Sequence, residues 1–139
     1  MTSTCACGNV EVTLTRSPDF IYDCNCSLCR KTGAAWGYFC SAEVHVAGET
    51  QAFTRRDTTD PKVDLHACPT CSATTHFVIN ETYKQAHPEL DQIGVNMRLF
   101  DPEALKGVEV HYPDGKAWSG DGAFGFRRPK MKVSDAQPW

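Results

Sequence analysis

Cys24-Asn25-Cys26-Ser27-Leu28-Cys29 is the stretch on which the reading of this chain turns, because two further cysteine pairs answer it from either side. Cys5-Ala6-Cys7 precedes it and Cys68-Pro69-Thr70-Cys71 follows, so seven of the eight cysteines fall into three tight groups. In an extended segment, residues two apart point the same way, and both cysteines of a C-x-C can face one metal. A two-residue gap suits a tight turn whose ends converge, and Pro69 pre-sets one dihedral inside such a turn. Two pairs make four thiolates, the full set of a closed structural zinc site. A triplet makes three and leaves a fourth position open, as reactive sites do. The spacing predicts two zinc ions per chain. One ties the fold together through Cys5, Cys7, Cys68 and Cys71. The other sits on Cys24, Cys26 and Cys29 with a fourth position free.

Other readings of the same cysteines stand beside this one. Disulfides are one such reading, but thiols stay reduced in the cytosol. Cys68-Pro-Thr-Cys71 alone resembles a thioredoxin-like redox turn, yet the βαβ pattern that motif needs is absent. The triplet also closes into a second structural site if Cys40, His45, His66 or His76 supplies a fourth ligand. Cys40, amid Tyr38, Phe39 and Val44, reads as a small core residue. His45 alternates onto a wet face between Val44 and Val46, and His66 and His76 read as surface or second-layer groups. Directly after the triplet, Arg30 and Lys31 are the cations placed to hold the carboxylates of a small ligand.

A length of 139 residues fits one domain over 1–139, long enough to bury a core. No run approaches the roughly 20 apolar residues of a membrane span. After Met1 comes Thr-Ser-Thr-Cys, without the basic start and apolar run of a signal peptide, so a cytoplasmic location is expected. The net charge is −3 and the basic residues are scattered. Arg55-Arg56 and Arg127-Arg128-Pro129-Lys130 are short clusters, not the basic face of a nucleic-acid domain. The oligomeric state is not legible.

Hydropathy patterning is mainly that of β-structure. Val10, Val12 and Leu14 alternate with polar residues, a strand with one wet face. Phe20 to Asp23 runs straight into the triplet, and Trp36 to Val46 reads as one longer strand bent at Gly37. Thr54 to Lys62 marks turns, while Val63–His66 and Thr74–Ile79 bring the chain to the third group and away again. Helix is confined to a turn or two at Glu81–Ala86, stopped by Pro88, and to Asp101–Gly107, with Asp101 as N-cap and Pro102 at the first position. Val108 to Tyr112 alternates into the turn Pro113-Asp114-Gly115. The glycine- and aromatic-rich segment Trp118 to Phe126 follows, placed to close over a site.

Taken together, Cys5-Ala-Cys7-Gly8, Cys24-Asn-Cys26-Ser-Leu-Cys29-Arg-Lys-Thr-Gly33 and Cys68-Pro-Thr-Cys71 resemble the glutathione-dependent formaldehyde-activating enzyme family. Leu99-Phe100-Asp101-Pro102 resembles a later segment of it, so the likeness covers about residues 4 to 118. The resemblance implies an Mss4-like, zinc-bound small β-sheet fold, with zinc sites divided four plus three as above. It implies that Cys24, Cys26 and Cys29 hold the second, labile zinc and carry the chemistry, with the ligand-binding cations Arg30 and Lys31 directly beside them. The implied activity is that of a carbon–sulfur lyase joining formaldehyde to glutathione, or acting on a related thiol adduct such as S-hydroxymethylglutathione. The family commonly has histidine where this chain has Asn25, and glycine with a small hydroxyl residue where it has Ser72-Ala73. These departures bear on the substrate. A non-catalytic zinc module, for protein interaction or for metal or redox sensing, is the alternative from another class.

Overall fold

The alternation seen in the sequence carries through to two sheets. In the computed structural model, which describes residues 1–134 and 136, the chain is mainly β. A three-stranded antiparallel sheet has the order β1 (Thr2–Thr4), β2 (Glu11–Leu14), β5 (Val44–Ala47). The second sheet has eight strands. From one edge it runs β11 (Met131–Lys132), β10 (Glu109–His111), β3 (Phe20–Tyr22), β4 (Trp36–Phe39), β9 (Ile93–Asn96), β8 (Thr74–Ile79), β7 (Val63–Ala67) and β6 (Gln51–Thr54). Among the described residues only β10 and β3 pair in parallel. Two short helices, α1 (Ser27–Thr32) and α2 (Glu81–Ala86), complete the regular elements apart from single 3-10 turns.

Strands β3, β4, β9 and β10 of the large sheet turn alternate side chains toward the core, as the pleat allows, whereas β6 is exposed along its length. Ile21 of β3, Phe39 of β4, Val95 of β9 and Val110 of β10 are buried in one cluster with Val12 and Leu14 of the small sheet. Their neighbours point to the other face. There Trp36 and Tyr38 of β4, Leu65 of β7 and Phe77 of β8 pack with the cysteine triplet. A Cβ on Gly94 of β9 would overlap the Phe77 ring, so that glycine lets the ring lie against the sheet. The large sheet thus has a core face and a site face.

Three expectations differ from the structure. Residues 36–46 are not one strand: β4 ends at Phe39, a 3-10 turn spans Ser41–Glu43, and β5 joins the other sheet. The break is held by Glu43, whose carboxylate accepts the backbone N–H of Cys40 at 2.9 Å and the Nε and Nη2 groups of Arg16 at 2.6 and 3.2 Å. Cys40 is only half-buried at that corner. Second, the triplet leads into a helix: Cys26 caps α1 with its sulfur, and Gly33 ends it at φ 66°. Third, Asp101–Gly107 forms a 3-10 turn over Pro102–Leu105, with the expected Asp101 cap. Strands β1, β6, β9 and β11 are too short or too polar to show periodicity. Helix α2 and strand β8 keep the expected bounds.

Candidate functional site

The outer cysteine pairs stand on loops of different sheets. Cys5 and Cys7 follow β1 of the small sheet, and Cys68 and Cys71 join β7 to β8 of the large one. Each loop is a tight turn closed by backbone bonds. Cys5 N–H donates to Val10 O and Cys68 N–H to Ala73 O, at 2.8 and 3.0 Å. The four sulfurs converge within 4.8 Å of one another. Cys7 Sγ lies 3.6 Å from both Cys5 Sγ and Cys68 Sγ. A tetrahedron with bonds of about 2.3 Å to sulfur has edges of about 3.8 Å, so the group fits a zinc ion. Burial raises the Cys5 thiol, but the N–H groups of Val10 and Cys7 and the thiols of Cys7 and Cys68 outweigh it and bring it down to about 6. At the second turn Ser72 takes φ 61°, the single non-glycine residue in the left-handed region among the described residues.

Cys24, Cys26 and Cys29 also bring their sulfurs within 4.8 Å of one another, and Cys26 lies 3.4 Å from Cys29. Each sulfur accepts one N–H. Cys26 N donates to Cys24 Sγ at 3.4 Å, Cys29 N to Cys26 Sγ at 3.5 Å, and the Trp36 indole to Cys29 Sγ at 3.3 Å. Three such donors suit thiolates. Within the group, hydrogen bonds from Cys24 and then Cys29 pull the Cys26 thiol far below the ordinary range and push its two neighbours up. None of Cys40, His45, His66 and His76 joins this cluster. His66 and His76 stack instead on each other, centroids 4.4 Å apart, with His76 buried and hydrogen-bonded to Thr75. The triplet therefore has three protein sulfurs and no fourth ligand among the described residues.

The loop after β10 backs this triplet. Asn25 Nδ2 donates to Asp114 Oδ1 at 2.7 Å, and Lys116 N donates to Asn25 Oδ1 at 2.8 Å. The turn so pinned presses Gly115 onto the sulfurs: a Cβ there would overlap Cys24 Sγ and sit 3.1 Å from Cys26 Cβ. Only glycine fits. A cavity of about 840 Å³ opens beside the triplet. Tyr22, Trp36, Tyr38 and Phe77 line it from the sheet, and Trp118, Gly120 and Phe124 line it from the glycine-aromatic segment, with Phe124 edge-on to Tyr22. Burial pushes the Tyr38 hydroxyl up, so it stays protonated.

The cavity's cations are Arg30, Arg55, Lys62 and Lys116. Arg30 is exposed on α1 and donates to Asn25 O at 3.1 Å; Lys31 is exposed on the same helix and does not line the cavity. Arg55 is fixed by Asp57 at 2.7 Å and by Ser27 Oγ at 3.0 Å, which ties the 55–60 loop to the start of α1. Gly115, Trp36, Asn25 and Arg55 escape sequence reasoning. For Asn25 the one available signal is that it replaces the family's usual histidine.

Residues 1–112 match a family model described as glutathione-dependent formaldehyde-activating enzyme. No curated protein matches the chain at a significant level. A crystal structure of a Rhodobacter sphaeroides protein is similar, with a TM-score of 0.57 and 23% identity over 78% of this chain and 97% of that one. That likeness shows a shared fold. Among the described residues no helix is long and apolar enough to cross a membrane.

Proposed function

The chain belongs to the glutathione-dependent formaldehyde-activating enzyme family, and on that premise we propose that it is a zinc-dependent enzyme of the carbon–sulfur lyase type. Its substrate is a glutathione adduct such as S-hydroxymethylglutathione, and it makes and breaks the S–C bond of that adduct. The proposal includes one domain over 1–139 and a cytoplasmic location, where clustered thiols stay reduced. The observation that carries it is the triplet: three sulfurs, each supplied with one N–H donor, with no fourth ligand among the described residues and an open cavity beside them.

In the forward direction the thiol sulfur bonds to the carbonyl carbon, the C=O π pair moves to oxygen, and oxygen gains the proton that sulfur loses. Nothing is oxidised or reduced. Zinc on Cys24, Cys26 and Cys29 would hold the incoming sulfur as thiolate and polarise the carbonyl. Trp36 orients Cys29 through its indole N–H. Asn25 fixes the Asp114–Lys116 turn against the triplet, so that Gly115 leaves the sulfurs room. Arg30, with Arg55 and Lys116 on the cavity wall, attracts the carboxylates of the tripeptide thiol, and Lys31 adds positive charge from outside it. Cys5, Cys7, Cys68 and Cys71 hold the structural zinc and join the two sheets.

The test is the exchange rate between free and glutathione-bound formaldehyde, followed by exchange NMR on zinc-loaded protein. The wild type should exceed the spontaneous rate, and Cys26→Ala should return it to that rate with the β circular dichroism retained. A wild type no faster than buffer refutes the enzyme reading and leaves the zinc-binding module.

A further inference from the structure

The cavity contains more than a glutathione–formaldehyde adduct needs. Glutathione is polar along its length, with two carboxylates, an ammonium group and two amides, and a hydroxymethyl group adds one carbon. Yet six aromatic rings line the space beside the triplet: Tyr22, Trp36, Tyr38, Phe77, Trp118 and Phe124. They form one continuous wall. Trp118 lies tilted against Phe124 at 4.5 Å, and Phe124 meets Tyr22 edge-on at 6.1 Å. Tyr22 meets Tyr38 at 5.6 Å, Tyr38 meets Phe77 at 6.1 Å, and Phe77 meets Trp36 at 4.9 Å.

Trp36 and Phe77 are nearly buried and have a packing role. The other four rings are half-buried and keep surface toward the cavity. Trp118 and Phe124 stand on a segment that carries Gly120, Gly122 and Gly125 and contributes little else to packing. Its one indole bond closes locally, from Trp118 Nε1 to Gly122 O. Rings held this way around a reactive centre offer edges and faces to a flat partner, beyond the area they bury.

We propose that the site takes thiol adducts of flat, apolar aldehydes, with an aromatic or comparably planar group seated against the continuous wall of Trp118, Phe124, Tyr22 and Tyr38. The inference rests on the reading that the cavity holds a thiol adduct. The cations Arg30, Arg55 and Lys116 face the polar thiol moiety, and the rings face the group that the aldehyde brings. The bond change is that of the simpler adduct: sulfur to carbonyl carbon, one proton to oxygen, no redox partner.

Two probe pairs are titrated calorimetrically into the zinc-loaded full chain: S-methylglutathione with S-benzylglutathione, and 2-mercaptoethanol with benzyl mercaptan. The benzyl member should bind at least tenfold tighter in each pair. Trp118→Ala should cut that ratio to threefold or less, and Phe124→Leu should do so partially with the fold and zinc count unchanged. Equal binding within both pairs overturns the inference while leaving the thiol-adduct reading intact. A benzyl preference among the free thiols with no binding of either conjugate supports the aromatic wall and refutes the glutathione reading. Failure of all four probes, or a benzyl preference that both variants leave untouched, overturns it.

Discussion

Replacing Gly115 with alanine should weaken the triplet's hold on its metal without unfolding the chain. The added methyl would overlap Cys24 Sγ and sit 3.1 Å from Cys26 Cβ, closer than real Cβ atoms ordinarily approach. The turn cannot retreat freely, because Asn25 holds it at Asp114 and at Lys116, through bonds of 2.7 and 2.8 Å. The strain therefore falls on the sulfurs. Overpacking a filled site by one methyl costs about 1–3 kcal/mol. If the metal site takes all of it, affinity falls about 5- to 150-fold, at 1.4 kcal/mol per tenfold. That range overlaps the 10–100-fold typical of losing a group that supports metal ligands. The assay is zinc transfer to a chromogenic chelator, which resolves the triplet from the four-cysteine cluster by affinity. Gly125→Ala, at a glycine whose added Cβ meets nothing within 4 Å, serves as the control. A Gly115→Ala protein that releases both metals like the wild type refutes the packing argument.

Trp36→Phe keeps a ring against Phe77 but removes the N–H that Cys29 accepts at 3.3 Å, so triplet zinc affinity should fall about tenfold while the four-cysteine cluster is unaffected; the same chelator titration reads both. Ser72→Gly should stabilise the protein. The left-handed backbone costs serine about 1–2 kcal/mol, and the greater chain entropy of glycine takes back roughly 0.5–1, so the melting temperature should rise by a few degrees. Glu43 is held at about 2, first by its hydrogen bond to Arg16 and then by the Cys40 N–H. A depressed carboxylate stabilises above its unfolded value, near 4.5, and loses that contribution as pH falls toward 2. The stability difference between wild type and Glu43→Gln, measured by urea unfolding, should hold above pH 5 and close between pH 4.5 and 2.

Cysteine spacing was legible because metal ligands must converge whatever lies between them. Seven sulfurs fall into groups of four and three, as counting alone suggests. Strong alternation was equally readable at Val10, Val12 and Leu14, where β2 runs over Glu11–Leu14, and β8 over Thr74–Ile79 keeps the expected bounds. The corner at Cys40 was hidden, since it depends on Arg16 gripping Glu43 across 27 residues, and local propensity carries no such term. Cys26 as a helix cap was hidden for a related reason: the same sulfur reads as a ligand and acts as an N-cap acceptor. Gly115 looks like an ordinary turn glycine after Pro113-Asp114, and only the fold shows it pressed against Cys24. Glycine is usual in the family where this chain has Ser72, and the φ of 61° there gives the physical reason.

The most direct test is zinc per chain by elemental analysis of chelator-free protein, comparing wild type, Cys26→Ala and Cys68→Ala. One zinc on each of the two clusters is expected in the wild type. Cys26→Ala should keep one zinc and a native circular dichroism spectrum, whereas Cys68→Ala should lose the fold together with its metal. Equal zinc in wild type and Cys26→Ala, or unfolding of both variants alike, would contradict the division into a structural site and an open one.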